Sequence, residues 1–248
     1  MKISACLGFR NWNLDHLDRC LCSLNAFGLD VHLVDLGSDL DVRWRVQQTA
    51  ASSPFVRVSS LNAEEWSRSC ALNHAARQVS KNTTHFLFTD ADMLFPITWR
   101  AVADVALTRD SSALWLTRSR DLPEGFESLV ADQSWWRWGS YTVANLRRVT
   151  TEHPDTGEGA GMLVPRTWFE RTGGFDETYK VWGVEDTDLV WRARQDGLTV
   201  QWLPDVFVAH QWHPRDWPTP SQRAVIVQNR LHFAEKKIAA EKKGTTSG

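Results

Sequence analysis

Short apolar runs alternate with longer amphipathic ones through the first half of this chain, and that pattern constrains the fold most. The runs at 3–7, 31–35, 55–58, 85–89 and 113–117 have the length of buried strands. Helical periodicity lies between them, at Leu14, Leu17, Leu21 and Leu24, then over 42–49, 63–79 and 98–107. Strand and helix in strict alternation predict an α/β fold, a mostly parallel, Rossmann-like sheet flanked by helices. A chain of 248 residues buries one good core, so a single domain over 1–234 is expected, followed by a flexible tail over 235–248. Open sheets of this kind take ligands beyond the carboxyl ends of their strands, which directs attention to 8–13, 35–39, 59–62 and 90–94.

Asp90-Ala91-Asp92 stands at one of those ends, directly after His85-Phe86-Leu87-Phe88-Thr89. Two carboxylates one residue apart at a strand end can share a hard divalent cation that keeps positions open for phosphate oxygens. Position discriminates here, because Asp39-Leu40-Asp41 and Asp186-Thr187-Asp188 have the same spacing. Regular periodicity is lost over 118–158, which holds the cluster Trp135-Trp136-Arg137-Trp138-Gly139. Beyond it the sequence predicts a glycine-rich stretch at 157–161, a strand at 162–165, a helix at 166–172, a turn at Gly173-Gly174-Phe175-Asp176, a helix at 185–196, and strands at 198–203 and 206–209.

Charge excludes little and supports little. With 28 basic against 30 acidic residues there is no electrostatic footprint for nucleic acid or an anionic membrane. Cys6, Cys20, Cys22 and Cys70 have neither zinc-site spacing nor the density of a disulfide scaffold. The opening apolar run is too short for a signal peptide or an anchor, so a cytoplasmic location is expected. Fourteen Trp against two Tyr supply flat rings that either pack a core or make platforms for sugar rings.

Three segments assemble into one candidate site: Asp90 with Asp92, Trp182-Gly183-Val184-Glu185-Asp186-Thr187-Asp188, and His210-Gln211-Trp212-His213-Pro214. A carboxylate pair plus an imidazole suits Mn2+, with Mg2+ the other candidate, and the remaining positions would go to a diphosphate. Each piece also fits a structural reading. Asp90 and Asp92 can cap the turn and the next helix, and acids in a helix's first turn are favoured by its macrodipole. His210 can be a hydrogen-bonded core histidine, the glycines a connector, and Trp135, Trp136 and Trp138 loop packing.

The order of these segments resembles glycosyltransferases of the GT-A fold, of family 2 in the first half and of the galactosyltransferase and polypeptide N-acetylgalactosaminyltransferase type in the second. Arg68-x-x-Ala71-x-Asn73 followed by Phe86-Leu87-Phe88-Thr89-Asp90-Ala91-Asp92 carries the first likeness. Gly161-Met162-Leu163-Val164-Pro165, Gly173-Gly174-Phe175-Asp176-Glu177 and Trp182 through Leu189 carry the second, which is the more specific. The resemblance implies a nucleotide-binding half over 1–117 and an acceptor-binding, catalytic half over 118–234. It implies donor contacts for Arg10, Asp35, Arg68, Asn73, Asp90 and Gly161, with Asp90 near the ribose and metal. Asp92 and His210 would be the direct metal ligands, Asp186 the general base, and Glu185 a holder of acceptor or donor sugar. Trp182, with Trp136 and Trp138, would form the acceptor wall.

The chain departs from the family after its first two strands. Gly8-Phe9-Arg10-Asn11 replaces Pro-x-Tyr-Asn, and Leu36 follows Asp35 where a second acid is usual. The resemblance thus implies a metal-dependent, inverting transfer from a nucleotide-diphosphate sugar, UDP-linked by default, to a hydroxyl, a saccharide acceptor being favoured. A retaining transferase, a nucleotidyltransferase and a sugar-binding module without metal are the alternatives.

Overall fold

A computed structural model describes residues 1–127, 151–152, 158–214 and 218–245, so Trp135, Trp136 and Trp138 lie outside the described residues. In chain order the first half runs β1 (Ile3–Phe9), α1 (Leu14–Asn25), β2 (Asp30–Leu36), α2 (Leu40–Ala51), β3 (Val56–Leu61), α3 (Arg68–Gln78), β4 (His85–Phe88), β5 (Met93–Leu94), α4 (Trp99–Arg109) and β6 (Leu114–Asp121). The second runs β7 (Thr151–Glu152), a 3-10 turn (Glu158–Ala160), β8 (Met162–Pro165), α5 (Arg166–Arg171), α6 (Glu185–Gln195), β9 (Val200–His210) and α7 (Pro220–Thr245).

These strands form one sheet in the order β3-β2-β1-β4-β8-β6-β9-β5, with β7 paired to β6. The first four strands pair in parallel, as the alternation predicts. The second half is mixed: β8 is antiparallel to β4 and β6, while β9 is parallel to β6 and antiparallel to β5. Both faces are covered, and period 2 is plain in β4, which sends Leu87 into one apolar layer and Phe86 and Phe88 into the other. Phe88, Phe169 and Phe175 pack there ring against ring. All four cysteines are free thiols, and among the described residues no helix is long and apolar enough to cross a membrane.

Three elements differ from the sequence expectation in ways that shape the site. The helix expected over 63–79 starts only at Arg68, because the Ser67 side chain caps it by accepting from the Cys70 amide. The residues before it are left as a loop carrying Trp66. The two late strands are one, β9, which passes through an irregularity marked by Asp205 at φ 53° and a register shift against β6. The tail from 235, expected as a fraying helix that gives way to disorder, continues the helix through Thr245 and is anchored by the Lys236 ammonium, which pairs with Asp176 at 3.0 Å and with the wholly buried Asp188.

Candidate active site

The strand order reverses between β1 and β4, and the candidate site lies just beyond their carboxyl ends. A cleft of about 330 Å³ opens there, lined by Gly8, Phe9, Arg10, Trp12, Trp66, Asp90, Ala91, Asp92 and Trp182. A larger concavity of about 580 Å³, lined by Ser111, Pro165, Trp168 and Thr199 among others, is at the opposite end of the strands and holds none of these groups.

Register builds the metal candidate. β9 lies between β6 and β5, so His210 stands opposite Asp121 on one side and Met93 on the other. The Gln211 amide then donates to the Asp92 carbonyl at 3.0 Å, fixing the segment after the strand against the Asp-Ala-Asp turn. Asp92, His210 and His213 each bring one ligand atom to within 4.8 Å of the others. Nε2 of His210 is 3.5 Å and Nε2 of His213 3.8 Å from Asp92 Oδ2. Asp92 is buried, and its Oδ1 has no hydrogen-bond partner among the described residues. An orphaned carboxylate oxygen beside two imidazoles is a donor set that a divalent cation completes.

Asp121 Oδ1 lies 2.9 Å from Nδ1 of His210, the carboxylate–histidine arrangement that turns the other ring nitrogen toward a metal. Burial works against a charged His210, but the hydrogen bonds to Asp92 and Asp121 prevail and its pKa is pushed up to about 9. Trp12 seals the other side, its ring edge-on to His213 at 4.7 Å between centroids.

One guanidinium joins the two acidic motifs. Arg68, 8% exposed, sits at the start of α3 and donates from Nε to Asp90 at 2.6 Å and from Nη2 to the Gly159 carbonyl at 2.9 Å. Its Nη1 is 3.5 Å from Glu185 Oε1 at the start of α6. Glu185 is buried, and burial together with the charge of Asp186 pushes its pKa up to about 7. Asp186 is partly exposed, with Oδ1 accepting from the Thr187 amide at 2.7 Å. Its Oδ2 faces Gly159 so closely that a Cβ there would come within 2.6 Å. Gly159→Ala should therefore displace Asp186 and cut turnover at least about 100-fold with little change in thermal midpoint; steady-state rates beside a melting curve check this.

Arg68 also sets a pH-dependent stability. The folded pKa of Glu185 is raised above its ordinary value of 4.5, so the cost of its charge is absent below about pH 4, grows as pH rises between the two values and is fully present above about pH 7. Without Arg68 that cost grows, and Arg68→Met should destabilise by about 3 kcal/mol at pH 8 and by clearly less at pH 5. Urea unfolding of both proteins at the two pH values measures the difference.

Several residues expected at the donor side have partners within the scaffold. Asp35 is wholly buried, with Oδ1 accepting from the Ser38 amide and Oδ2 from Arg43, both at 2.9 Å, so it shapes the turn after β2. Asn73 bonds the backbone of Phe175 in both directions and Glu177 Oε1, clamping the Gly173–Glu177 turn to α3. Gly161 is crowded by the Thr117 side chain, 3.1 Å from where its Cβ would be, and does not face the cleft. Gly8 lines the cleft, and Gly159 stands against Asp186 and Arg68. Arg10 and Trp182 do line the cleft, Trp182 being 49% exposed. His213 stands within the 210–214 segment and Trp12 within 8–13, neither with a role assigned from the sequence, and nothing local points to Asp121 or Trp66.

Comparison with known proteins bears on the fold and on part of the chain. Residues 144–212, which span Gly159 to His210, match the model of the N-terminal domain of galactosyltransferase. The chain is 28% identical over 95 residues to polypeptide N-acetylgalactosaminyltransferase 3 of Taeniopygia guttata, covering 37% of this chain and 15% of that protein. It is 32% identical over 80 residues to the probable N-acetylgalactosaminyltransferase 6 of Caenorhabditis elegans, covering 31% and 13%. The matched region is thus a small part of either relative. Among solved structures it resembles GalNAc-T7 with UDP, GalNAc and Mn2+ at a TM-score of 0.69 and 14% identity, over 94% of this chain and 48% of that one. The mannosyltransferase PcManGT of Pyrobaculum calidifontis in complex with GDP-Man and Mn2+ gives 0.65 and 19%, over 96% and 64%. The fold is that of the GT-A glycosyltransferases.

Proposed function

We propose that this GT-A chain is a metal-dependent glycosyltransferase that moves a sugar from a nucleotide-diphosphate donor, UDP-linked, to the hydroxyl of a saccharide, with inversion at the anomeric carbon. The observation that carries the reading is the meeting, at one strand-end cleft, of the Asp92-His210-His213 cluster with the Arg68-bridged acids Asp90 and Glu185. The manganese and nucleotides named with two structural neighbours, and the N-acetylgalactosaminyltransferases among the relatives, support the same chemistry.

Asp92, His210 and His213 would hold Mn2+, with Asp121 orienting His210. Bound there, the cation supplies neutralisation of the charge gathering on the departing diphosphate. Asp90, fixed by Arg68, faces the donor from the cleft wall, and Arg10 lies across from it on the β1 loop. The Trp12 and Trp66 rings offer flat apolar surface for the donor and Trp182 for the acceptor. Asp186, at the exposed end of the acidic pair, takes the proton of the incoming hydroxyl, while buried Glu185 keeps its place beside Arg68 and presents the unpartnered Oε2.

A panel of UDP- and GDP-sugars tested with and without Mn2+, read by thermal shift and by release of nucleoside diphosphate, checks the reading. A UDP-sugar should raise the melting temperature only with the metal present. Stabilisation by nucleoside triphosphates with release of pyrophosphate would point to nucleotidyl transfer instead. Anomeric analysis of the product by NMR separates inversion from retention.

A further inference from the structure

The loop that carries Trp182 into the cleft is held in a conformation its own residues disfavour. Val181 has φ 61° and Val184 φ 67°, left-handed values that a β-branched side chain rarely adopts, with Gly183 at φ 104° between them. Such a backbone persists only where its surroundings over-determine it. On one side the Val181 amide donates to the Trp66 carbonyl at 2.8 Å, and the Ser67 hydroxyl donates to the Tyr179 carbonyl at 3.0 Å. On the other side stands α7, which contributes no group to the chemistry.

Asn229 of α7, 4% exposed, reaches this loop with its whole amide. Its Nδ2 donates to the carbonyls of Lys180 at 2.8 Å and Trp182 at 3.2 Å, and its Oδ1 accepts from the Lys180 amide at 3.4 Å. Ile226, one turn earlier, lies 3.9 Å from where a Cβ on Gly183 would stand. The helix is itself pinned near the acidic motif, since His232 and Lys236 both bond Asp176 and Lys236 also pairs with Asp188 of α6.

We infer that Asn229 is a positioning residue, which fixes the Trp182 loop and through it the acceptor side of the cleft. Nucleotide and metal would meet β1, Trp66, the Asp-Ala-Asp turn and the end of β9, none of which Asn229 bonds directly; Trp182 and the start of α6 hang from the segment it holds. The acceptor assignment of Trp182 rests on the function proposed above, whereas the hold on the loop does not.

The test uses the full chain with Asn229→Ala and the near-isosteric Asn229→Asp, which keeps the acceptor oxygen and loses both donors. Hydrogen exchange without ligand should accelerate about tenfold or more in amides 180–188 and stay unchanged in β1 to β4. With a UDP-sugar, Mn2+ and a panel of phenyl glycosides, the KM for the glycoside should rise about tenfold or more while the donor KM and the affinity for UDP with Mn2+ stay within about twofold. Unchanged exchange in 180–188 overturns the inference, as does acceleration spread over the whole sheet. An equal loss of donor and acceptor affinity overturns its acceptor part. A wild-type chain that neither binds UDP with Mn2+ nor turns over a UDP-sugar overturns the proposed function and leaves the exchange result to decide the positioning role.

Discussion

Asp92→Ala is expected to abolish manganese-dependent binding of UDP, an affinity loss greater than about 100-fold, while the protein stays folded. The size follows from what Asp92 contributes. It is the one carboxylate of the three-residue cluster and carries the only charge there when both imidazoles are neutral. Removing a group that merely orients a ligand costs about 10- to 100-fold in metal affinity, so Asp121→Asn should fall in that range and Asp92→Ala beyond it. Stability has two opposed contributions. Loss of the orphaned Oδ1 relieves a desolvation cost, but loss of the carboxylate also removes the partner that holds the His210 pKa up, so the metal-free variant should melt lower near neutral pH while remaining folded. Calorimetric titration of Mn2+ and UDP into wild type, Asp92→Ala, His213→Ala and Asp121→Asn measures this series. Wild-type affinity in Asp92→Ala would remove the metal assignment, and wild-type affinity in His213→Ala would return the site to Asp92 and His210.

What was legible in the sequence depended on how local its cause was. The strands of the first half, and the place of Asp90 and Asp92 after β4, follow from apolar runs whose period and length need no partner to be read. The pairing of His210 with Asp121 arises from the register of β9 on β6, strands far apart in the chain, so nothing near either residue announces it. Asp35 and Asn73 show the complementary difficulty. Both sit where a ligand contact is reasonable, but whether a polar group at a strand end or on a helix faces the cleft or the interior depends on neighbours such as Arg43 and Phe175. Gly161 shows the same difficulty: a glycine's lack of a Cβ can serve a ligand or a packed threonine, and here it accommodates Thr117, while Gly159, two residues earlier, closely approaches Asp186. The anchoring of α7 through Lys236 was hidden because its partners, Asp176 and Asp188, belong to other elements.

Asp186→Asn should leave UDP and manganese binding intact and lower transfer by about two to four orders of magnitude, the usual worth of a positioned general base. The structure allows that separation because the residue is apart from the metal cluster, at the N-terminus of α6 on the far side of Arg68. Asparagine keeps the size of the side chain and an oxygen for the Thr187 amide, so the geometry around Gly159 is preserved and only proton acceptance is lost. The neighbouring Glu185 is not an equivalent base. It is buried, its pKa is pushed up to about 7, and Arg68 holds one of its oxygens, so near neutral pH a substantial fraction already carries a proton. Glu185→Gln should therefore affect donor or acceptor binding more than the chemical step, and the two substitutions together locate the base. Rapid-quench single-turnover rates with saturating UDP-sugar and Mn2+ separate binding from chemistry. Near-normal turnover in Asp186→Asn would remove this residue from the mechanism. If the product retains the anomeric configuration, no acceptor base at Asp186 is needed, and the same acidic pair would act on the donor face.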